Sequence, residues 1–151
     1  LGPESIHPAR PPAVTGPQGL PLIKPPYSRL TAYDMNRGEI AWQTPTGRGA
    51  DRIRNHPALA GLDLPPLGGQ MTTSGPLVTK TLVMLGLGPA GSTDSAQLVA
   101  YDKATGVPLG QVALPARPLG TPMTYLVQGR QFVVLTLVNA QMVALALPTT
   151  P

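Results

Sequence analysis

The chain alternates apolar and polar residues in short runs and holds no long stretch with helical spacing. Arg29–Tyr33 and Glu39–Gln43 read as strands around a turn at Asn36-Arg37-Gly38. Pro76–Thr79 and Thr81–Leu85, rich in Val, Leu and Thr, predict buried strand interrupted at Lys80. Gln97–Asp102 and Val107–Leu114 form a second pair about Ala104-Thr105-Gly106. Met123–Val127, Gln131–Val138 and Met142–Leu147 predict three closing strands, joined at Gln128-Gly129-Arg130 and at Asn139–Gln141. "GLGPAGSTDS" at 86–95 and "PARPLGTP" at 115–122 predict loops, and Asp51–Leu59 allows one helical turn before Pro57 and Gly61 limit it. The predicted fold class is all-β.

Two of these strand pairs are copies of one another. "LTAYDMNRGEIAW" at 30–42 returns 68 residues later as "LVAYDKATGVPLG" at 98–110, with Gly110 where the first copy has Trp42. "VALAL" at 143–147 resembles a third inner strand, with Leu145 in the place of Tyr101, 44 residues on. Repeats of roughly 40–50 residues carrying four strands each are the signature of propeller blades. The longer first interval then holds one blade plus an irregular insertion at 44–70. Each motif residue has a mechanical reason. Asp34 and Asp102 are placed to accept the amides of the turn that follows. Gly38 and Gly106 supply the positive φ such a turn needs. Trp42 is expected to lie flat against the neighbouring blade and bury a large apolar area. These five residues therefore read as structural, not catalytic.

Composition narrows the classes of function. The 151 residues include 20 Pro and 17 Gly, yet 42% are apolar, which fits many short strands punctuated by turns. Residues 1–26 are Pro-rich and read as an extended segment, residues 27–148 as the blades, and 149–151 as a tail. Cysteine is absent, so disulfides and thiolate metal sites are excluded. The net charge is +4, but only 12% of residues are charged and 4% are aromatic. Arg48, Arg52 and Arg54 form the one basic cluster, which reads as a solvated loop and not a nucleic-acid surface. The apolar run from Phe132 to Leu147 is short for a membrane span and carries Asn139 and Gln141, so no span is expected. No signal-peptide pattern is present and the chain opens on Leu1, which suggests a longer parent.

Other constellations carry little. His7 and His56 stand apart without clustered carboxylates, which argues against zinc. "GLGPAG" at 86–91 is followed by no helix, and no GxSxG elbow occurs. Lys80 either faces a propeller channel or sits on an exposed edge.

Taken in order, "LPLIKPPYSRLTAYDMNRGEIAW", "RIRNHPALAGLDLPPLGG", "GPLVTKTLVMLG", "LVAYDKATG" and "GTPMTYLVQGRQFVVL" resemble the C-terminal portion of pyrroloquinoline-quinone (PQQ)-dependent dehydrogenases, in particular the glucose and alcohol branch. The resemblance covers residues 20–148. It implies a partial β-propeller, about three four-stranded blades of an eight-bladed whole, with PQQ and Ca²⁺ on the axis. It further implies an Asp general base, a quinone or cytochrome electron acceptor, and a periplasmic location. By the same resemblance the catalytic Asp and most metal ligands lie upstream of Leu1, so no catalytic or metal residue is assigned in this chain. By the same resemblance Gly68 and Gly69, in "PLGGQ" at 66–70, are the candidate cofactor-binding positions, since glycine permits close approach to a flat ring; the alternative is that they only make a turn. The short turn at 139–141 stands where the family carries a glycine-rich loop. Three readings follow: a dehydrogenase segment that is inactive alone, a non-catalytic propeller scaffold, or a piece whose open strand edges pair with the remaining blades or drive self-association.

Overall fold

A computed structural model describes residues 15–69, 74–89 and 95–147. Nine strands are found in three antiparallel sheets: β1 (Arg29–Asp34), β2 (Glu39–Pro45), β3 (Leu77–Val78), β4 (Leu82–Leu87), β5 (Ala96–Asp102), β6 (Pro108–Leu114), β7 (Pro118–Val127), β8 (Arg130–Leu137) and β9 (Gln141–Ala146). The sheets run β1-β2, β3-β4-β5-β6 and β7-β8-β9 in chain order. Successive antiparallel sheets packed face to face, each wound in sequence order, are blades of a β-propeller. Among the described residues the middle sheet has the expected four strands, the first two and the last three.

The repeat is a structural one. Ala32 pairs with Trp42, and Ala100 with Gly110, with a register shift beside the Ala-Tyr step in both hairpins. That extra residue is a β-bulge at the same place in both copies. Each hairpin turn is held by its aspartate. The Asp34 carboxylate accepts the amides of Asn36 and Arg37 at 2.9 and 3.3 Å, and the Asp102 carboxylate those of Ala104 and Thr105 at 2.9 and 2.8 Å. The Gly38 and Gly106 amides close the turns on the Asp34 and Asp102 carbonyls, both at 2.8 Å, with φ of 70° and 74°.

Two apolar layers hold the sheets together. Between the first two sheets lie Val83, Leu85, Leu87, Val99 and Tyr101, with Leu30 packed on them. Between the second and third lie Met84, Leu98, Leu114, Val133, Leu135 and Leu137. β4 feeds both layers from alternate residues, so it reads as an unbroken apolar run. Full burial of side chains such as Leu87, Leu135 and Leu137 contributes about 1.5–3 kcal/mol each. The equivalent tyrosines show what a neighbouring blade does. Tyr101 faces the first sheet and is 1% exposed, whereas Tyr33 has no described sheet on that side and is 61% exposed.

Element limits differ from expectation at a few points. β7 begins at Pro118, so the predicted loop at 115–122 shrinks; Pro118 and Leu119 pair with Leu137 and Thr136 across an irregular stretch that ends at Met123. β4 continues through Gly86 to Leu87, because a Cβ on Gly86 would lie 2.8 Å from the Pro118 ring; glycine here admits a close strand crossing. The short turn expected at Asn139–Gln141 lies one residue earlier, as a three-residue 3-10 turn at Val138–Ala140 between the paired Leu137 and Gln141. The predicted helical turn divides into α1 (Asp51–Arg54) and a 3-10 turn at Pro57–Leu59. Lys80 is exposed in the bend before β4. Residues 1–14 and 148–151 lie outside the described residues, as do His7, Gln70 and Asp94.

Candidate functional site

The insertion at 44–70 folds back onto the start of β1. Three short segments meet there: Tyr27–Ser28, Thr46–Gly49 and Leu67–Gly69. The Tyr27 amide donates to the Leu67 carbonyl at 2.8 Å, Thr46 to Ser28 at 3.1 Å, Leu67 to Arg48 at 3.1 Å and Gly68 to Gly47 at 3.1 Å. The Ser28 hydroxyl accepts the Gly69 amide at 2.6 Å and makes a short hydrogen bond to the Thr46 hydroxyl, which is buried. Arg54 ties the rest of the loop in place, donating to the carbonyls of Arg48 and Pro65 at 3.1 Å and of Leu64 at 3.0 Å. Arg48 pairs with Asp51. The basic cluster is thus largely spent on loop structure.

This geometry decides what Gly68 and Gly69 do locally. A Cβ on Gly68 would fall 2.3 Å from the Ser28 carbonyl oxygen and 2.8 Å from its nitrogen, at a φ of +68°. The close approach that demands glycine is to backbone, not to an open space that a ring could enter. At Gly69, with φ +95°, an added Cβ would meet the Tyr27 side chain only at ordinary contact distance, and the Gly69 amide is taken by Ser28. Among the described residues, no three His, Asp or Glu side chains gather to hold a metal ion.

A second concavity, about 430 Å³, opens between the first two sheets, with Arg48, Gln97, Tyr101 and Gln111 among its lining groups. Among the described residues its polar lining is made of these hydrogen-bonding groups, with no carboxylate or imidazole beside them. Three of the five aspartates are engaged elsewhere: Asp34 and Asp102 in their turns, Asp51 with Arg48. Hydrogen bonds, first from the Thr105 hydroxyl at 2.9 Å and then from the Thr105 amide, hold the Asp102 carboxyl below its ordinary value of 3.8. Burial pushes the Tyr101 phenol above 10.0.

The feature that joins one sheet to the next is Trp42. Its indole nitrogen donates to the Lys103 carbonyl at 3.0 Å, and its ring covers Gly106, where a Cβ would lie 2.4 Å from ring carbon Cε3. A side chain on β2 is thereby seated on the β5–β6 turn of the following sheet.

Serially wound sheets locked in this way define a β-propeller segment. The family described as "PQQ: Glucose/ethanol/alcohol dehydrogenase, beta-propeller domain" matches residues 4–133. The chain belongs to that family of PQQ-dependent dehydrogenases. It is 35% identical over 124 residues to a "Probable quinate dehydrogenase (quinone)" of Xanthomonas campestris pv. juglandis, covering 78% of this chain and 14% of the relative. To the "Quinoprotein glucose dehydrogenase A" of Acinetobacter calcoaceticus it is 30% identical over 126 residues, covering 82% of this chain and 14% of the relative. To the "Glycerol dehydrogenase large subunit" of Gluconobacter oxydans (strain 621H) it is 33% identical over 140 residues, covering 86% and 18%. The chain thus spans about a seventh of the length of the first two relatives. No helix among the described residues is long and apolar enough to cross a membrane.

Ser28 and Thr46, which fix the Gly68–Gly69 segment, carried no signal in the sequence. Isolated hydroxyls in irregular stretches have no period to mark them.

Proposed function

We propose that this chain supplies adjoining blades to a PQQ-dependent dehydrogenase that oxidises a secondary or primary alcohol of a polyol or sugar, and passes the electrons to a quinone. The observation that carries the proposal is the family match over residues 4–133 on sheets locked blade to blade through Trp42. Quinate, glucose and glycerol in the relatives' names share one chemistry, a CH–OH carbon on a polyhydroxylated skeleton, and two relatives are named for a quinone. PQQ is a hydride acceptor when bound, and the ion expected beside it is Ca²⁺, which polarises the quinone. The base and the ion's ligands are supplied from outside this chain, as are the further blades of an eight-bladed ring. The Gly68–Gly69 segment borders the cofactor from the rim, its backbone braced by Ser28. The setting is the periplasm.

The test is dye-linked oxidation by the longer protein that carries this segment. Turnover of quinate, glucose or glycerol that requires added PQQ and Ca²⁺ is expected. A folded, full-length protein that oxidises none of them with the cofactor present removes the dehydrogenase reading in favour of a scaffold.

A further inference from the structure

We infer that the cavity of about 430 Å³ between the first two sheets is a binding site for a neutral, polyhydroxylated small molecule of monosaccharide or cyclitol size, held by Gln97, Tyr101 and Gln111. The inference goes beyond the dehydrogenase reading and uses none of it. All three side chains stand on one face of the second sheet. Gln97, Val99 and Tyr101 alternate along β5 and so point the same way, and Gln111 is paired with Val99 from β6. This is the face that packs on the first sheet, where Leu85, Leu87 and Val99 form the apolar layer. Tyr101 is 1% exposed, and its hydroxyl bonds to no described residue. No side-chain oxygen or nitrogen among the described residues is sealed from solvent without a partner, so the Tyr101 hydroxyl reaches the cavity that it lines.

The first copy of the repeat shows that the fold does not demand this arrangement. The residues 68 positions earlier are Arg29 for Gln97, Thr31 for Val99 and Gln43 for Gln111. There the Gln43 carboxamide is used within its own sheet: it accepts from the Arg29 guanidinium at 3.3 Å and donates to the Thr31 hydroxyl at 3.2 Å. In the second copy both of those partners are replaced, and neither the Gln97 nor the Gln111 carboxamide bonds to a described residue. Two carboxamides and a phenol thus line one wall with their donors and acceptors unspent. That chemistry selects the ligand. Hydroxyl groups both donate and accept, so a polyhydroxylated ring matches this set whichever way each carboxamide is turned. An anion is disfavoured, because Arg48, the charged residue among the described lining groups, is already paired with Asp51. An apolar guest would leave three polar groups without hydrogen bonds. Pro66, Leu87 and Pro108 complete the lining with apolar surface suited to the C–H faces of a saturated ring. The volume falls within the usual range for small-molecule sites.

The probe is myo-inositol, titrated into the longer protein that carries this segment and followed by saturation-transfer NMR. Saturable binding with a Kd on the order of 1 mM is expected, with or without PQQ. Tyr101→Phe and Gln97→Leu are each expected to weaken it by about fivefold or more, the loss of one net hydrogen bond. Tyr101→Phe carries a second readout. Its hydroxyl has no protein partner, so removing it is expected to leave the thermal midpoint without inositol unchanged or slightly raised, while the rise that inositol gives the native protein is largely lost. Gln111→Ala, at an exposed position on β6, gives the same loss of affinity should a β5 variant not fold. Absence of saturable binding far above the expected Kd overturns the assignment, as does binding that none of the three variants weakens. A Tyr101→Phe midpoint lowered by about 5 °C or more without inositol would reveal a bond from the hydroxyl to the protein itself, and overturns it too. Cyclohexanecarboxylate is the charged comparison: if it binds as tightly as inositol and the same variants weaken it, the site takes an anion and the neutral class is overturned. Inositol binding without turnover of quinate, glucose or glycerol removes only the dehydrogenase reading; turnover with no inositol bound removes only this site.

Discussion

Gly106→Ala is expected to dislodge the only tryptophan of the chain and loosen the joint between the first two sheets. Three contributions add. The residue sits at φ +74°, where a side chain costs about 1–2 kcal/mol. The new methyl would fall 2.4–2.9 Å from three indole carbons, so the ring must swing away. That breaks the bond from the indole nitrogen to the Lys103 carbonyl, a net loss of about 1 kcal/mol. It also returns part of the half-buried ring to water, for about 2 kcal/mol more at 25 cal/mol per Å². The sum, about 4–5 kcal/mol, is a large share of the 5–15 kcal/mol typical of a folded domain. Gly38→Ala is an internal control. It has the same turn and a φ of +70°, but a Cβ there meets nothing within 4 Å, so only the backbone cost of about 1–2 kcal/mol applies. Urea unfolding followed by tryptophan emission reads both effects, because all the signal comes from Trp42. Gly106→Ala is expected to red-shift the native emission and lower the midpoint well beyond Gly38→Ala. Equal midpoints for the two variants, with emission unmoved, would refute the docking of the indole on this turn.

Three further outcomes are expected. Gly68→Ala clashes with the Ser28 backbone at 2.3 and 2.8 Å and imposes φ strain, so it should destabilise by about 3 kcal/mol or more, read from the thermal midpoint; an unchanged midpoint would show that Ser28 yields freely. Asp102 titrates below 3.8 when folded, so its stabilisation is complete above that value and is lost as pH falls through the lowered folded value; Asp102→Asn should flatten this part of the acid limb, and an identical limb contradicts the bonds from Thr105. Tyr101 titrates above 10.0 when folded, so its contribution is present below that pH and is lost as pH rises through the folded value; Tyr101→Phe should abolish a late component of the phenolate absorbance and flatten the alkaline limb of stability.

Much of this architecture is written in local chemistry. The Asp34 and Asp102 turns follow from an aspartate set four residues ahead of a glycine, and their hydrogen bonds reach no farther than that glycine. The strands of the second sheet show plainly because Val and Leu fill both faces of β4. Where expectation failed, the deciding contact was distant. Gly120 and Pro122 look like a loop, yet β7 runs through them because Pro118 and Leu119 find partners on β8. Gly86 looks like a strand end until Pro118 is known to cross it. The count of two, four and three strands among the described residues also escaped the repeat pattern, which marks inner hairpins and not their outer partners. At the candidate site the glycines were visible, but the reason for Gly68 was not: Ser28 lies 40 residues away and carries no motif.

The central claim is that these residues build blades, while the cofactor is held by parts of the protein outside this chain. Titrating the isolated 151-residue protein with PQQ and Ca²⁺, with absorbance and thermal midpoint followed together, tests it most directly. The account predicts no saturable change in the PQQ spectrum and no rise in the midpoint. A one-to-one spectral change accompanied by a rise in midpoint would show a complete cofactor site in this chain and contradict it.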